Sequence, residues 1–393
     1  MDDTNLLAYG DSPESVPADV VNALQATVLT WQQGLSVTGG SLKLDKCSWS
    51  LLAYHFKQGR PQIHTPRSFP ADIFILSPTG TLAKVKRVPA SEGIMVVGVV
   101  QALNGKMKPQ VDALQEKAEL WAKNVKEQWM NRRLAWTCLR TMIWPSLAYP
   151  LRACSMTKTQ GDAIIMPLYQ ALLPELGLQK KFPRVWRYAP RMYQALALYH
   201  PYIEQGQEQV SIFQRAGLSE EINGGLQRTT TEQAQLEIGT SKPVLQEDFT
   251  KWGHLLTENL WIGSLWQFCS DFDITLDDDH FTAPAPQREN DAYLMELLAT
   301  RFPFSSKPKE RKDEWLSLNR CRLFLQVLFL SDITTGDGNE IRKDYLSYVA
   351  SARHPHKSRW EWPLQKPTTN DWDRWKDALR ILSSPTGRLH HRD

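Results

Sequence analysis

The stretch Met1-Asp2-Asp3-Thr4-Asn5-Leu6-Leu7-Ala8 places two adjacent aspartates directly before an apolar run. Two neighbouring carboxylates are costly to bury unless a positive charge lies beside them, and a divalent metal ion is the usual source of that charge. Leu6 to Tyr9 predicts a short strand, which the turn sequence Gly10 to Pro13 ends. The alternative interpretation is a surface pair near a disordered terminus, without a function.

The residues that follow predict a β-rich segment with one helix. Apolar residues at three- and four-residue steps between Val20 and Leu35 predict an amphipathic helix, which Gly39-Gly40 ends. Strands are predicted at Trp49 to Phe56, Ile73 to Leu76, Leu82 to Val88 and Ile94 to Gly98. This part of the chain therefore combines short strands with one packed helix.

Helical patterns dominate after Pro109. Helices are predicted at Val111 to Glu127, Arg132 to Trp144, Asp162 to Leu176 and Arg184 to His200. The polar stretch Gln227 to Lys242 predicts a linker, and Ser331 to Gly338 predicts a tight turn. We therefore expect an α+β fold in three segments, residues 1–108, 109–228 and 229–393, of which the last is helical and has no assigned role.

Charge is unevenly distributed along the 393 residues, although the net charge is only +3. Residues 101–200 hold 15 basic and 6 acidic side chains, whereas residues 201–300 hold 5 basic and 17 acidic ones. The basic block favours a polyanionic partner, and its acidic neighbour favours a separate domain. A solvated helix face is the alternative explanation of the basic block.

Composition and patterning argue against several other classes of protein. The longest apolar run, Gly93 to Val100, is too short to span a membrane, and the first residues lack a signal-peptide pattern. The five cysteines form no CxxC pair, which argues against a zinc knuckle or a disulfide framework and for a reducing compartment. We expect an intracellular protein, of the cytoplasm or the nucleus, with no membrane partner.

In their order and spacing, these elements resemble the C-terminal half of a reverse transcriptase, most of all that of the non-LTR (LINE-type) retrotransposons. Asp2-Asp3 is similar to the end of the aromatic-x-Asp-Asp box on the palm hairpin. Thr38 to Cys47 resembles the loop that carries a lysine in these enzymes, and Ile94 to Val99 resembles the strand-turn that holds the primer end. Trp144-Pro145-Ser146-Leu147-Ala148-Tyr149-Pro150 resembles part of the thumb, as does Thr159 to Leu178.

The resemblance implies two-metal nucleotidyl transfer. Asp2 and Asp3 would bind Mg²⁺, and Lys46 would lie near the pyrophosphate that leaves the dNTP. The implied partners are an RNA template and a DNA primer. Residues 1–108 would form part of the palm and residues 109–228 the thumb. For Lys46, the alternative is an ordinary solvated lysine.

The thumb-like block supplies most of the residues that we expect to contact nucleic acid. Cations meet phosphates, while interleaved aromatic side chains such as Trp186 and Tyr188 stack on bases. The expected contacts are Gly98, Lys106, Lys108, Arg132, Arg133, Lys180, Lys181, Arg184, Arg187 and Arg191. A solvated helix face is again the alternative.

The sequence thus predicts a fragment of an RNA-directed DNA polymerase of a retrotransposon. The upstream strand with its own aspartate and the fingers would precede Met1, so we expect no polymerase activity from these residues alone. The alternatives are a non-catalytic nucleic-acid-binding or domesticated retroelement protein, and a degenerate remnant with no retained role. No convincing set of spaced acids indicates an RNase H or endonuclease domain.

Overall fold

The computed structural model describes residues 5–10, 15–57, 60–77, 80–128, 130–217, 219–256, 261–277, 284, 286, 288–289, 291–346 and 366–390. The chain folds into two compact units. Unit 1 comprises Met1–Lys57 and Pro61–Leu198, and unit 2 comprises Gln58–Arg60 and Tyr199–Asp393. The fold is α+β, as predicted. The division falls after Leu198, whereas the sequence segments place a boundary at residue 228.

Short strands pair two by two in the first part of the chain. They are β1 (Ser48–Trp49), β2 (Tyr54–Lys57), β3 (Arg60–Ile63), β4 (Phe74–Leu76), β5 (Leu82–Lys84), β6 (Lys86–Arg87), β7 (Ile94–Val96) and β8 (Val99–Gln101). β1 pairs with β6 in parallel, β2 pairs with β3, and the pairs β4–β5 and β7–β8 are antiparallel. The strand predicted at Leu6 to Tyr9 is wrong: residues 5–10 form no strand, and Leu7 and Tyr9 are exposed, without a partner strand to cover them.

Helix α1 (Pro17–Val37) takes the place of a neighbouring strand along β4. The side-chain amide of Gln25 accepts a hydrogen bond from the N–H of Phe74 at 2.7 Å and donates one to its carbonyl at 2.8 Å. Gln32, two helical turns later, makes the same two bonds with Leu76. Residues seven apart share a helix face, and alternate strand residues point the same way, so the two patterns match. The core between helix and strands is Val21, Trp49, Leu51, Ile73, Ile75 and Val85.

The rest of unit 1 is helical. It contains α2 (Lys108–Glu127), α3 (Arg132–Cys138), a π-helical turn (Leu139–Ile143), α4 (Trp144–Ala148), a 3₁₀ turn (Tyr149–Ala153), α5 (Lys158–Glu175) and α6 (Arg184–Tyr188). Helices α2 and α5 pack against each other, and buried Ala118 and Ala122 leave room for a close approach. The helix predicted at Arg184 to His200 ends at Tyr188, because Pro190 excludes helical geometry from the residue before it.

Unit 2 packs short and medium helices around tryptophan side chains. Its helices are α7 (Pro201–Gly217), α8 (Ile222–Ile238), α9 (Phe249–Trp252), α10 (Trp261–Asp271), α11 (Leu294–Arg301), α12 (Pro308–Leu325), α13 (Leu330–Ile333), α14 (Lys343–Leu346) and α15 (Thr369–Leu382). The buried tryptophans are Trp252, Trp266, Trp315, Trp372 and Trp375. Of the helices in the described ranges, none has the length and apolarity needed to cross a membrane.

The prediction of a linker at Gln227 to Lys242 is wrong, because most of this stretch lies in α8. Its polar composition is reconciled with burial by hydrogen bonds. The side-chain amide of Gln235 is buried and donates to the carbonyl of Thr240 at 2.7 Å and to that of Lys242 at 2.8 Å. A polar group that keeps its hydrogen bonds can be buried without a large cost, so composition alone misassigned the segment.

A buried arginine caps the C-terminal end of α8. Arg322, on α12, is fully buried and donates from Nη2 to the carbonyls of Leu236 and Glu237, both at 2.7 Å. The last carbonyls of a helix lack donors within the helix, and the helix dipole favours a cation there. Burial lowers the pKa of Arg322 to about 9, so the guanidinium stays charged at neutral pH. Beside it, Gly239 has a φ of +68°, and a Cβ there would lie 2.6 Å from Nη1 of Arg322.

His254 is expected to make the stability of unit 2 depend on pH. Burial, with the nearby ammonium of Lys312, lowers the pKa of His254. The ordinary pKa of histidine is about 6.5. As the pH decreases below that value, the unfolded chain takes up a proton before the folded chain does, so the free energy of unfolding decreases as the pH decreases. We expect His254→Phe to weaken this fall, measured by urea unfolding at about pH 5 and about pH 7.5. An unchanged difference between the two pH values would contradict the prediction.

Candidate nucleic-acid interface

The residues expected to bind metal, Asp2 and Asp3, lie outside the described part of the structure. Lys46, the expected partner of the leaving group, is exposed at the end of a 3₁₀ turn, Leu44–Lys46. Among the described residues, no three histidine, cysteine, aspartate or glutamate side chains lie close enough together to hold a metal ion. The Mg²⁺ site therefore stays a prediction from the sequence.

The turn between β7 and β8 holds Gly98 in a strained hairpin. Val97 and Gly98 both have positive φ, +47° and +79°, as the central residues of a two-residue type I′ hairpin turn require. A β-branched residue rarely adopts this geometry, so Val97 stores backbone strain at the tip. A Cβ on Gly98 would lie 3.2 Å from the ring of Tyr149. The hairpin and the Trp144 to Pro150 stretch, which were identified separately in the sequence, are thus in contact.

The expected phosphate-binding cations are mostly at the surface. The exposed ones are Lys106, Lys108, Arg132, Arg133, Lys180, Lys181, Arg184 and Arg191. Two of them have acidic partners: Lys108 lies 2.7 Å from Asp112, and Arg184 lies 3.0 Å from Asp162. Exposed pairs of this kind contribute little stability and exchange readily with other anions. The ion pairs among the described residues leave the remaining cations unneutralised.

Arg187 is the exception, and the structure corrects the expectation that it contacts nucleic acid. Its side chain is only 4% exposed. Nε donates to the carbonyl of Phe182 at 2.5 Å, and Nη2 donates to that of Lys180 at 3.4 Å. A guanidinium has five N–H donors and accepts nothing, so a cluster of backbone carbonyls is a natural buried environment for it. Arg187 therefore connects the turn that carries Lys180 and Lys181, here called the lysine turn, to α6, and its guanidinium is out of reach of a phosphate.

The chain after α6 folds back onto the helix. The N–H of Leu196 donates to the carbonyl of Trp186 at 2.9 Å, and the N–H of Leu198 donates to that of Arg187 at 2.7 Å. Gln194 and Ala197 take positive φ, +59° and +47°, to make this reversal. The backbone on both sides of Arg187 is thus held by hydrogen bonds, which gives the segment one defined conformation.

Within this segment, the exposed aromatic side chains are Trp186 and Tyr193. Trp186 is 49% exposed and Tyr193 is 63% exposed, large fractions for residues of this size. Tyr188, the other aromatic residue expected to stack on bases, instead turns inward, with its ring centroid 6.4 Å from that of buried Tyr169, and burial raises its pKa. Tyr193 was not singled out from the sequence, although the Arg191-Met192-Tyr193 run after a proline carries the signal.

We name the resulting patch the basic–aromatic surface. It consists of Lys180, Lys181, Arg184, Trp186, Arg191 and Tyr193. Arg132 extends it, because its side chain reaches the turn at Gly177 that precedes the two lysines: a Cβ on Gly177 would lie 3.9 Å from Cδ of Arg132. Cations beside exposed aromatic rings can meet phosphates and stack on bases at the same time.

Comparison of the chain with models of known protein families, with curated proteins and with solved structures finds no match.

Replacing Gly98 is expected to destabilise the hairpin. Gly98→Ala should cost about 1–2 kcal/mol, because alanine is disfavoured at positive φ, and the contact with Tyr149 should add to that cost. Gly105→Ala is the matched control, since Gly105 has a similar φ, +74°, and open space around it. The two free energies of unfolding, measured with urea, should differ, and the difference should vanish in a Tyr149→Ala background. Equal costs in the native background would show that the ring contact contributes nothing.

Removal of the buried guanidinium should loosen the basic–aromatic surface. Arg187→Met leaves the carbonyls of Phe182 and Lys180 without their donor, and we expect a loss of roughly 2–4 kcal/mol. Arg191→Met, at an exposed position four residues away, should stay within about 0.5 kcal/mol of wild type. Hydrogen exchange should show faster exchange at the amides of Leu196 and Leu198 in the first variant alone. Similar exchange in both variants would argue against the anchoring role.

Proposed function

We propose that unit 1 binds nucleic acid through the basic–aromatic surface, and that it does so as part of a reverse transcriptase of the non-LTR retrotransposon type. The observation that carries the proposal is the exposure of Trp186 and Tyr193 in the same segment as exposed Lys180, Lys181 and Arg191, which have no ion pair among the described residues. Exposed rings next to cations offer stacking faces to bases and charge partners to phosphates at the same time. A single strand or a duplex end presents phosphates that alternate with flat bases. The lysines and arginines can bind the phosphates, and the aromatic rings can stack on the bases.

The assignment to a reverse transcriptase is supported by the ordered motifs of the sequence. In this proposal, the strand-rich residues 5–105 belong to the palm, and the helices from α2 to α6 belong to the thumb. The contact between the Gly98 hairpin and Tyr149 is consistent with it, because both belong to motifs that would face the primer. The ligand is then an RNA template paired with a DNA primer.

Catalysis is a further part of the proposal. Asp2 and Asp3 would hold Mg²⁺ ions that activate the primer hydroxyl and bind the dNTP, and the exposed ammonium of Lys46 would stabilise the leaving pyrophosphate. The basic–aromatic surface needs none of these groups. Binding and catalysis can therefore be separated, and a non-catalytic nucleic-acid-binding protein of retroelement origin is the second candidate.

The binding test uses an RNA template annealed to a labelled DNA primer, with a single-stranded template overhang, and follows fluorescence anisotropy. Trp186→Ala/Tyr193→Ala should weaken binding tenfold or more, since stacking contributes about 1–3 kcal/mol per base. Lys180→Ala/Lys181→Ala should reduce the slope of log affinity against log salt by about 2, one unit for each phosphate contact. Lys309→Ala/Arg380→Ala, which removes two exposed cations of unit 2, is the matched control and should bind like wild type.

Two outcomes would contradict the binding proposal. One is an affinity that does not weaken between about 50 mM and about 200 mM salt. The other is equal binding by the aromatic variant and the control variant. Primer extension in the same samples tests catalysis. Incorporation of dNTP that is lost in Asp2→Ala supports the polymerase and counts against the non-catalytic protein, whereas binding without incorporation supports nucleic-acid binding and is expected of both candidates for these residues alone.

A further inference from the structure

Unit 2 contains a pocket of about 300 Å³ between α11, the turn after α13 and the end of the chain's described part. Short antiparallel bridges frame it: Thr334 pairs with Ile341, and Glu340 pairs with Arg388. The predicted tight turn is confirmed only at Thr335 to Gly338, where the N–H of Gly338 donates to the carbonyl of Thr335 at 2.9 Å, because Ser331 to Ile333 belong to α13. The charged and titratable residues that line the pocket are Arg288, Glu289, Asp291, Arg301, Arg388 and His390. We call it the arginine pocket.

Arg288 is fixed in the wall of the arginine pocket by neutral acceptors. Nη1 donates to the hydroxyl of Thr334 at 3.1 Å, and Nη2 donates to the carbonyls of Thr335 and Gly336. The guanidinium of Arg288 lies so close to the backbone of Gly338 that a Cβ on this glycine would be 2.4 Å from Nη1. Hydroxyl and carbonyl oxygens orient a guanidinium without neutralising it, so its positive charge remains available to an anion.

Arg301 and Arg388 add two further cations from separate elements. Arg301 ends α11, and Arg388 lies on the bridged segment, with its backbone N–H bound to the hydroxyl of Ser384 at 3.2 Å. Within the described ranges, neither guanidinium has a hydrogen-bond or ion-pair partner. Both side chains are exposed at the mouth of the pocket.

The two carboxylates of the pocket do not cancel the three guanidiniums. The carboxylate of Asp291 is directed to the backbone N–H of Ser331, with both oxygens at 3.3 Å. Glu289 is exposed and has no ion pair in the described part of the chain. With histidine neutral, the described lining residues carry three guanidiniums and two carboxylates, a net charge of +1.

We propose that the arginine pocket binds a phosphate group, in the form of a phosphate monoester. Guanidinium groups bind phosphate oxygens through paired N–H donors, and three of them around one cavity suit a group with several equivalent oxygens. The surroundings favour a discrete end group over a long polyanion, because residues 201–393 together hold 29 acidic and 23 basic side chains. The phosphate can belong to a small molecule or to the 5′ end of a nucleic acid strand. This site is separate from the basic–aromatic surface and does not rest on the function proposed for it.

The test is isothermal titration of the full chain with inorganic phosphate, with ribose 5-phosphate and with a short oligonucleotide that carries or lacks a 5′ phosphate. We expect saturable binding of the phosphorylated probes, with a dissociation constant on the order of 0.1–1 mM for the small ones. Arg301→Ala/Arg388→Ala should weaken it at least tenfold. These side chains are exposed, so the variant should keep the melting temperature of wild type, which circular dichroism verifies.

Lys309→Ala/Arg380→Ala removes the same charge from exposed positions of unit 2 outside the pocket, and should bind like wild type. Tighter binding of the 5′-phosphorylated oligonucleotide than of the unphosphorylated one, lost in Arg301→Ala/Arg388→Ala, would identify a strand end as the source of the phosphate. Equal binding of the two oligonucleotides, with ribose 5-phosphate still bound, would identify a small molecule. The proposal is overturned if wild type shows no saturable binding, or if the two double variants bind equally well. If Trp186→Ala/Tyr193→Ala or Lys180→Ala/Lys181→Ala left both nucleic-acid binding and phosphate binding unchanged, the function proposed for unit 1 would be contradicted and the phosphate site would stand.

Discussion

The surface on which function is proposed depends on the burial of one guanidinium. Arg187 donates from Nε to the carbonyl of Phe182 and from Nη2 to that of Lys180, and so joins the lysine turn to α6. A buried cation is tolerated only where dipoles surround it, and here the backbone itself supplies them. The cations at 180 and 181 and the ring at 186 therefore keep a fixed spacing.

The positive charge of the second block is divided among several roles. Arg187 is structural, Lys108 and Arg184 have acidic partners, and Lys180, Lys181 and Arg191 are unneutralised at the surface. A net charge counted from the sequence gives all of these the same weight. The electrostatic field that a polyanion meets comes from the last group and from the arginines near the start of α3.

Apolar residues at helical spacing were sufficient to predict α1, α2 and α5 close to their true bounds, although Val21 is the one residue of α1 that is buried. The α8 segment was misassigned, since the partner that caps it, Arg322, lies 86 residues from Leu236 in the chain. Local composition carries no information about such a partner. The same limit applies at the proposed site. Arg187 and Arg191 are alike in type and sequence context, and so are Trp186 and Tyr188. The folded chain buries Arg187 and turns Tyr188 inward, and the sequence does not show this difference.

The arginine that caps the C-terminal end of α8, Arg322, also couples the unfolding of two helices of unit 2. Arg322 lies on α12, and its guanidinium is fully buried when α8 is in place. If α8 detached alone, a desolvated cation would lose its acceptors while still enclosed by the remaining helices, which costs several kcal/mol. Partial opening at α8 is therefore penalised, and separation of α8 is coupled to that of α12. We therefore expect these two helices, which are far apart in sequence, to open together.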